Sequence, residues 1–349
     1  MNENESYTIK NIRDFDPVHT FECGQCFRWE KQPDGSYTGA AMGRIVNIRF
    51  DKDTGSAAPA GSTEADAVSA ESVNGSGLSA IPTGNLTITP CTESEFSDIW
   101  RPYLDLDRDY TSIKTRLSQD DDIMKQACKY GYGIRILKQD LWETIVSFII
   151  SQNNNIPRIK GCIERLCDNF GEPISTQTEQ ETLGAKAPKL SRTELEHTAS
   201  ADPDLVRTGM PARPDCLDCY AGTPRFNIPA PEVLAGLTVD DLAPVRLGYR
   251  AKYLIETAKA VCENGLPREP EELSGLCGVG PKVASCIALF GMQDFASFPI
   301  DVWVMKVMHE LYGLPEKDKK AMAAFARERF GELGGFAQQY LFYYMRDRS

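Results

Sequence analysis

One lysine and one aspartate in the last quarter of the chain have the types and positions that nucleophilic catalysis needs. Lys282 falls in the first turn of the apolar helix predicted for PKVASCIALF, where the helix macrodipole disfavours a cation. Partial burial would disfavour the ammonium further, so we expect a lowered pKa and a neutral, nucleophilic amine. Position alone favours a solvated surface lysine, so the interpretation depends on the surrounding motifs.

Asp301 is predicted to cap a helix and to take part in the same chemistry. It follows Pro299 and precedes the helical stretch VWVMKVMHEL, which is the position of an N-cap. A capping carboxylate can direct its second oxygen into a cleft. The pair therefore predicts an amine nucleophile next to a carboxylate that stabilises developing positive charge.

The stretch LCGVG, residues 276–280, predicts a tight hairpin between two helices. Gly278 and Gly280 allow a close approach of backbone to an anion, and Pro281 suits the first position of the next helix. The free amides of that helix start, including that of Val283, can bind phosphate. This is the helix–hairpin–helix arrangement, which holds a DNA backbone without reading its sequence.

The elements that must position these residues fall into two classes along the chain. Residues 5–50 alternate in short segments; PDGS (33–36) predicts a hairpin, and MGRIVNIRF (42–50) and LTITPC (86–91) predict strands. Helical spacing begins near residue 95. We predict an α+β fold, with an antiparallel β-domain over residues 1–108 and a helical body over residues 109–349.

Two low-complexity stretches interrupt these regions. Residues 51–85, rich in Ala, Ser, Gly and Thr, lack apolar periodicity and are predicted to be a flexible insertion, and residues 176–222 are a polar, proline-containing one. The 349-residue chain carries a formal net charge of −12, which predicts weak, salt-sensitive nonspecific binding to DNA. No stretch has the length and hydropathy of a signal peptide or a membrane span.

Eleven cysteines, an odd number scattered through apolar segments, indicate a reducing compartment. Two CxxC pairs, Cys23/Cys26 and Cys216/Cys219, could form a four-thiolate zinc site. The pairs differ in context, which disfavours that alternative, so we expect no metal.

Four further motifs narrow the interpretation: CGQCFRW (23–29), QDLWETIVSFIISQNNNIPRI (139–159), LGYRAKY (247–253) and GFAQQYLF (335–342). Together with the hairpin, Lys282 and Asp301, they resemble the corresponding segments of the 8-oxoguanine DNA glycosylases, a family of the helix–hairpin–helix superfamily. The motifs follow one another here in the same order as in that family. The resemblance implies a TBP-like β-domain and a bifunctional enzyme that excises the base through its lysine and then nicks the strand. No cysteine follows Cys286, so the iron–sulfur cluster of other branches is not expected.

The resemblance also implies a pocket for an extruded base. Gly24 would offer its backbone carbonyl to N7–H of 8-oxoguanine, a donor that guanine lacks. Gln338 would bind the Watson–Crick edge, with Phe342 covering one face of the ring and Cys286 forming the opposite wall. On the partner strand, Asn153 would fill the vacated space, Tyr249 would wedge beside the cytosine, and Arg158 and Arg250 would hydrogen-bond it.

The expected partner is double-stranded DNA with 8-oxoguanine opposite cytosine. We expect a monomer without cofactor or membrane association, located with the DNA, in a bacterial cytoplasm rather than a nucleus. Two alternatives stay open from the residues. One is a bifunctional glycosylase for other oxidised bases. The other is a noncatalytic helix–hairpin–helix DNA-binding protein, which would have no need of Lys282 or Asp301.

Overall fold

The computed structural model describes residues 5–53, 83–174 and 226–347. Its first part is a five-stranded antiparallel sheet with the order β1-β5-β4-β3-β2. The strands are β1 (Tyr7–Arg13), β2 (Trp29–Lys31), β3 (Tyr37–Ala41), β4 (Arg44–Lys52) and β5 (Thr83–Thr89). The predicted hairpin at 33–36 and the strands predicted at 42–50 and 86–91 are confirmed.

Helices make up most of the remainder, which confirms the predicted α+β class. A short helix, α1 (Pro17–Phe21), precedes β2. After the sheet come α2 (Glu93–Glu95), α3 (Arg101–Tyr103), α4 (Tyr110–Leu117), α5 (Asp122–Tyr130), α6 (Leu141–Ser151), α7 (Ile156–Phe170), α8 (Pro231–Ala235), α9 (Arg250–Asn264), α10 (Pro281–Gly291), α11 (Val302–Glu310), α12 (Lys319–Phe330) and α13 (Gly334–Arg346). Asp140 caps α6, accepting a hydrogen bond from the Glu143 amide at 2.9 Å.

The edges of the predicted insertion at 51–85 were wrong, because both belong to strands. Lys52 pairs with Gly84, and the Asp53 amide donates to the Thr83 carbonyl at 2.8 Å. Gly84 looks like a turn signal in the sequence. In the structure it is required by packing, because a Cβ there would lie 2.5 Å from the Phe50 ring. Residues 54–82 lie outside the described residues.

The second interruption also leaves and re-enters the fold at neighbouring points. Pro173 forms an antiparallel bridge with Phe226, and the Asn227 amide donates to the Glu172 carbonyl at 2.8 Å. Residues 175–225, including Cys216 and Cys219, lie outside the described residues, so the zinc alternative stays untested. Cys23 and Cys26 are both buried, and burial raises the pKa of Cys23 to about 11.

The segment 23–29 joins the two hydrophobic cores. Cys23 and Phe27 belong to the helical core, whereas Cys26 and Trp29 belong to the core beneath the sheet. Between them, the fully buried Gln25 donates to the Thr20 and Arg135 carbonyls and accepts from the Leu137 amide. The loop is therefore fixed from both sides.

Arg28 in the same segment is 3% exposed and connects the β-domain to the helical body. Its Nε pairs with Glu164 at 2.9 Å, and its Nη2 donates to the Phe226 carbonyl at 2.6 Å. We propose residues 1–108 and 109–349 as the two domains. None of the described helices combines the length and the hydropathy that a bilayer crossing requires.

Candidate active site

The helix–hairpin–helix unit consists of α9, the hairpin 276–280 and α10. The Thr257 hydroxyl, buried within α9, donates to the Cys277 carbonyl at 3.0 Å and ties the hairpin to the helix before it. Gly278 has a φ of +77°, and a Cβ there would lie 2.4 Å from the Tyr253 ring. Both observations explain why this position requires glycine.

The start of α10 leaves backbone donors free for a ligand. Gly280 is the N-cap, and within the described part of the chain no side chain caps the helix. The first helical amide to bond backward is that of Ala284, to the Gly280 carbonyl at 2.9 Å. The amides of Lys282 and Val283 precede it, so they are available to an anion.

The structure brings Lys282, Cys286 and Asp301 together. Lys282 and Cys286 lie one turn apart on α10, and Asp301 is the N-cap of α11. The capping prediction is confirmed: Asp301 accepts from the Val304 amide at 2.8 Å. Lys282 is half-buried, and its amine couples electrostatically to both Cys286 and Asp301.

The predicted direction of the Lys282 pKa was wrong. Burial pushes this pKa down, but Cys286 and the Asp301 carboxylate outweigh burial and leave it above its usual value. Burial also raises the pKa of Cys286, so it stays a thiol near neutral pH and Asp301 supplies the negative charge. Burial raises the pKa of Asp301 in turn, against the bonds from the Val304 and Trp303 amides. The free protein therefore holds an ammonium.

Gly24 and Phe342, both predicted to line the base pocket, lie against each other. Gly24 has a φ of +80°, and a Cβ there would lie 3.6 Å from two atoms of the Phe342 ring. Within the described residues, no hydrogen bond reaches the Gly24 carbonyl. A free acceptor therefore stands beside an aromatic ring.

Gln338, one turn before Phe342 on α13, is 4% exposed. Its Oε1 has no hydrogen-bond partner among the described residues. Leaving a buried acceptor unpaired costs about 1–3 kcal/mol, so such an atom indicates a site for a donor on a ligand. The predicted base-pocket residues thus present unused polar groups.

Asn153, Tyr249 and Arg250 lie together where α6 ends and α9 begins. Asn153 is exposed and has a φ of +45°, and Tyr249 is 51% exposed. The Arg250 guanidinium carbon lies 4.5 Å from the centre of the Tyr249 ring. The expected wedge and filler therefore project from one surface.

The two arginines occupy different settings. Arg158, in the first turn of α7, is exposed, and no described residue hydrogen-bonds its guanidinium. Arg250 is 4% exposed and donates to the carbonyls of Gln152, Asn153 and Leu247. The predicted contact of Arg250 with the partner strand stays a prediction; in this structure its donors hold the turn that carries Asn153.

Two residues without an assigned role in the sequence also shape the site. Phe148 on α6 places its ring centre 5.6 Å from the Lys282 Nζ, and Gln25 fixes the Gly24 loop. Gln25 carries a signal, since it is a polar residue between two cysteines in an apolar segment. Phe148 carries none, because α6 is apolar on most sides.

Two family models match adjoining parts of the chain. The 8-oxoguanine DNA glycosylase N-terminal domain matches residues 8–145, and the HhH-GPD superfamily base excision DNA repair protein matches residues 146–332. The chain belongs to the 8-oxoguanine DNA glycosylases of the HhH-GPD superfamily. The glycosylase hairpin 276–280, Lys282 and Asp301 all lie within the part of the chain that the HhH-GPD model matches.

Two solved structures of an 8-oxoguanine glycosylase/lyase are similar to this chain in sequence and fold. The Clostridium acetobutylicum 8-oxoguanine glycosylase/lyase in its apo form is 33% identical, with a TM-score of 0.71, over 97% of this chain and 96% of that one. The same enzyme with double-stranded DNA containing cytosine opposite 8-oxoguanine is 32% identical, with a TM-score of 0.71, over 100% and 99%.

Two curated relatives are named as N-glycosylase/DNA lyases. The probable N-glycosylase/DNA lyase of Methanothermobacter thermautotrophicus is 31% identical over 155 residues, covering 36% of this chain and 50% of that protein. The N-glycosylase/DNA lyase of Saccharomyces cerevisiae is 30% identical over 201 residues, covering 52% and 42%. The matched parts thus span half or less of these two glycosylase/lyases.

Proposed function

We propose that this protein excises 8-oxoguanine from duplex DNA and then cleaves the strand at the resulting site. The observations that carry the proposal are the grouping of Lys282, Cys286 and Asp301 and the unpaired Gln338 oxygen and Gly24 carbonyl. The family membership and the glycosylase/lyase relatives support the same reaction.

The reaction begins at the sugar of an extruded nucleotide, because C1′ is inaccessible inside the duplex. Lys282 Nζ forms a bond to C1′ while the bond from C1′ to the base nitrogen breaks and its electrons leave with the base. Asp301 stabilises the positive charge that develops on the sugar. The ammonium must lose a proton and the departing purine must gain one, so the overall step is balanced.

Strand cleavage follows from the amine that is now attached. The sugar ring opens to give a Schiff base between Nζ and C1′. Loss of a proton from C2′ then expels the 3′ phosphate by β-elimination. The described residues include no group of three or more His, Cys, Asp or Glu side chains suited to a metal.

Recognition of the base uses the two unpaired acceptors. The Gly24 carbonyl accepts from N7–H of 8-oxoguanine, whereas in guanine it would meet a lone pair at a cost of about 1–3 kcal/mol. The Gln338 oxygen accepts from the Watson–Crick edge, and Phe342 and Cys286 enclose the ring. The hairpin amides of Gly278, Gly280 and Val283 bind the backbone phosphate.

On the partner strand, Asn153 and Tyr249 occupy the space that the base leaves. Arg158, exposed and without a partner among described residues, binds the cytosine together with Arg250, which also holds the Asn153 turn. We propose duplex DNA with 8-oxoguanine opposite cytosine as the substrate, a monomer as the active form, and a location with the DNA.

Borohydride trapping tests the mechanism, because borohydride reduces the Schiff base to a stable covalent adduct. Wild type should trap an 8-oxoguanine·C duplex, and Lys282→Gln should trap none. Lys259→Gln is the matched control: Lys259 is exposed on α9, pairs with Glu256 at 3.0 Å and should trap normally. A covalent adduct with Lys282→Gln would refute the lysine nucleophile.

The same assay separates the alternatives. A noncatalytic DNA-binding protein would give no adduct with any duplex. A glycosylase for other oxidised bases would trap a thymine-glycol duplex faster than the 8-oxoguanine·C duplex.

A further inference from the structure

Arg346, the last residue of α13, connects the two walls of the base pocket. Its Nη1 donates to the Glu22 carbonyl at 2.6 Å, and its Nε pairs with Asp347 at 3.0 Å. Its guanidinium carbon lies 5.5 Å from the centre of the Phe342 ring and 5.1 Å from that of Tyr343. The side chain is 21% exposed, so most of it is covered by these contacts.

These contacts reach both sides of the slot that takes the base. Glu22 lies two residues before Gly24, and the Phe342 ring lies 3.6 Å from the Cβ position of Gly24. A guanidinium donates along its edge and packs through its face, so one rigid plane can fix the distance between the loop and the helix.

Gln25 and Gln339 hold the Gly24 loop toward the core, but another side of the loop faces open space. A cavity of about 300 Å³ lies there, lined by Gly24, Arg346, Phe21, Ile156 and Lys160 among others. Packed side chains resist displacement, but an open space does not. The bond from Arg346 to the Glu22 carbonyl therefore restrains the loop on the side that faces this cavity.

We propose that Arg346 is a positioning residue that sets the gap between the Gly24 carbonyl and the Phe342 ring, and through it the excision of 8-oxoguanine. The inference rests on the proposed function, since it concerns the same pocket. It requires no contact between Arg346 and the chemistry at Lys282. Base excision should therefore depend on Arg346, and trapping of a site without a base should not.

The test is the ratio of two single-turnover rates: excision from an 8-oxoguanine·C duplex, and borohydride trapping on an abasic duplex. Arg346→Met removes the donors and keeps an unbranched side chain. It should lower excision about ten- to a hundredfold, as expected for loss of a charge-assisted hydrogen bond, and change trapping by less than about threefold. A ratio equal to that of wild type overturns the proposal, whether both rates stay the same or both fall by the same factor.

A control and a second variant sharpen the result. Lys160 lines the same cavity but bonds to the Trp29 carbonyl at 2.7 Å and to Glu30 at 2.9 Å, so Lys160→Met should leave the ratio unchanged. Arg346→Lys keeps a donor for Glu22 and should lose less than Arg346→Met; an equal or larger loss overturns the proposal. If wild type traps no abasic duplex, the proposed function itself fails.

Discussion

The protonation state of Lys282 is set by neighbours on three helices. Cys286 lies one turn away on α10, Asp301 caps α11, and the Phe148 ring on α6 lies 5.6 Å from Nζ. An aromatic face stabilises a cation by about 0.5–2 kcal/mol, depending on how far it is desolvated. Phe148 therefore adds to the effects that favour the ammonium.

Replacing Phe148 should make the amine easier to deprotonate. The ring favours the charged form, so Phe148→Leu should lower the Lys282 pKa and give more neutral amine at a given pH. The rate of borohydride trapping on an abasic duplex should rise with pH, since the pKa in wild type is raised. In the variant the midpoint of that rise should move down by roughly 0.4 to 1.5 pH units.

Phe290→Leu is the control for packing. Phe290 stacks on Phe148 with ring centres 5.4 Å apart and planes at 12°, and it also belongs to the buried core. Its loss should weaken the core about as much as the loss of Phe148 while leaving the midpoint in place. If both variants move the midpoint equally, the ring does not act on the amine.

For Lys282 and Asp301, the sequence predicted their place in the fold better than the protonation state of the lysine. The Asp301 cap follows from local order along the chain, and the structure has it. The charge on Lys282 depends on Asp301 and Phe148, whose distances from it only the fold determines. The burial of Arg250 could not be predicted for the same reason, because its partners are carbonyls at the end of α6.

Among the elements, the hairpin between α9 and α10 depends on one glycine far more than on the other. An alanine Cβ at Gly278 would meet the Tyr253 ring at 2.4 Å on a backbone with φ of +77°. Gly278→Ala should therefore lower the free energy of unfolding by about 2–4 kcal/mol, measured by chemical denaturation, and weaken DNA binding as well.

Gly280 offers the comparison within the same hairpin. It has a φ of −83°, and no atom of the described residues lies within 4 Å of its Cβ position. Gly280→Ala should change the free energy of unfolding by less than about 1 kcal/mol. Equal destabilisation by the two alanines would show that packing against Tyr253 is not what selects Gly278.

Element types followed the sequence periodicity closely, and element ends did not. Alternation predicted β4 and β5, but low complexity hid the last pairs of their ladder, where Gly84 faces the Phe50 ring. A glycine under an aromatic ring and a glycine in a loop look alike without the partner strand.

For the whole molecule, the closed end of the β4–β5 ladder predicts that residues 54–82 are dispensable for folding. Lys52 and Gly84 are already paired, so a short turn can replace residues 54–82 without moving either strand. Shorter closure should raise the free energy of unfolding by about 1–2 kcal/mol, measured by denaturation, with trapping unchanged. Loss of the folded state would mean that this stretch contributes to the core.

The order of the motifs predicted the molecule's overall plan, but the way its parts are joined came from the structure. The segment 23–29 reads as one motif with a glycine and two cysteines. Its side chains in fact alternate between the two cores, which is how a loop of the β-domain comes to form a wall of the proposed base pocket. No periodicity within seven residues could indicate that.

Arg28 has a consequence for how the chain could be divided. Its guanidinium binds Glu164, which precedes the second interruption, and the Phe226 carbonyl, which follows it. The bridge between Pro173 and Phe226 joins the same two parts of the chain. Two polypeptides expressed separately, one ending at residue 174 and the other starting at residue 226, would each carry half of this junction. They should assemble into a single active particle without a peptide bond between them.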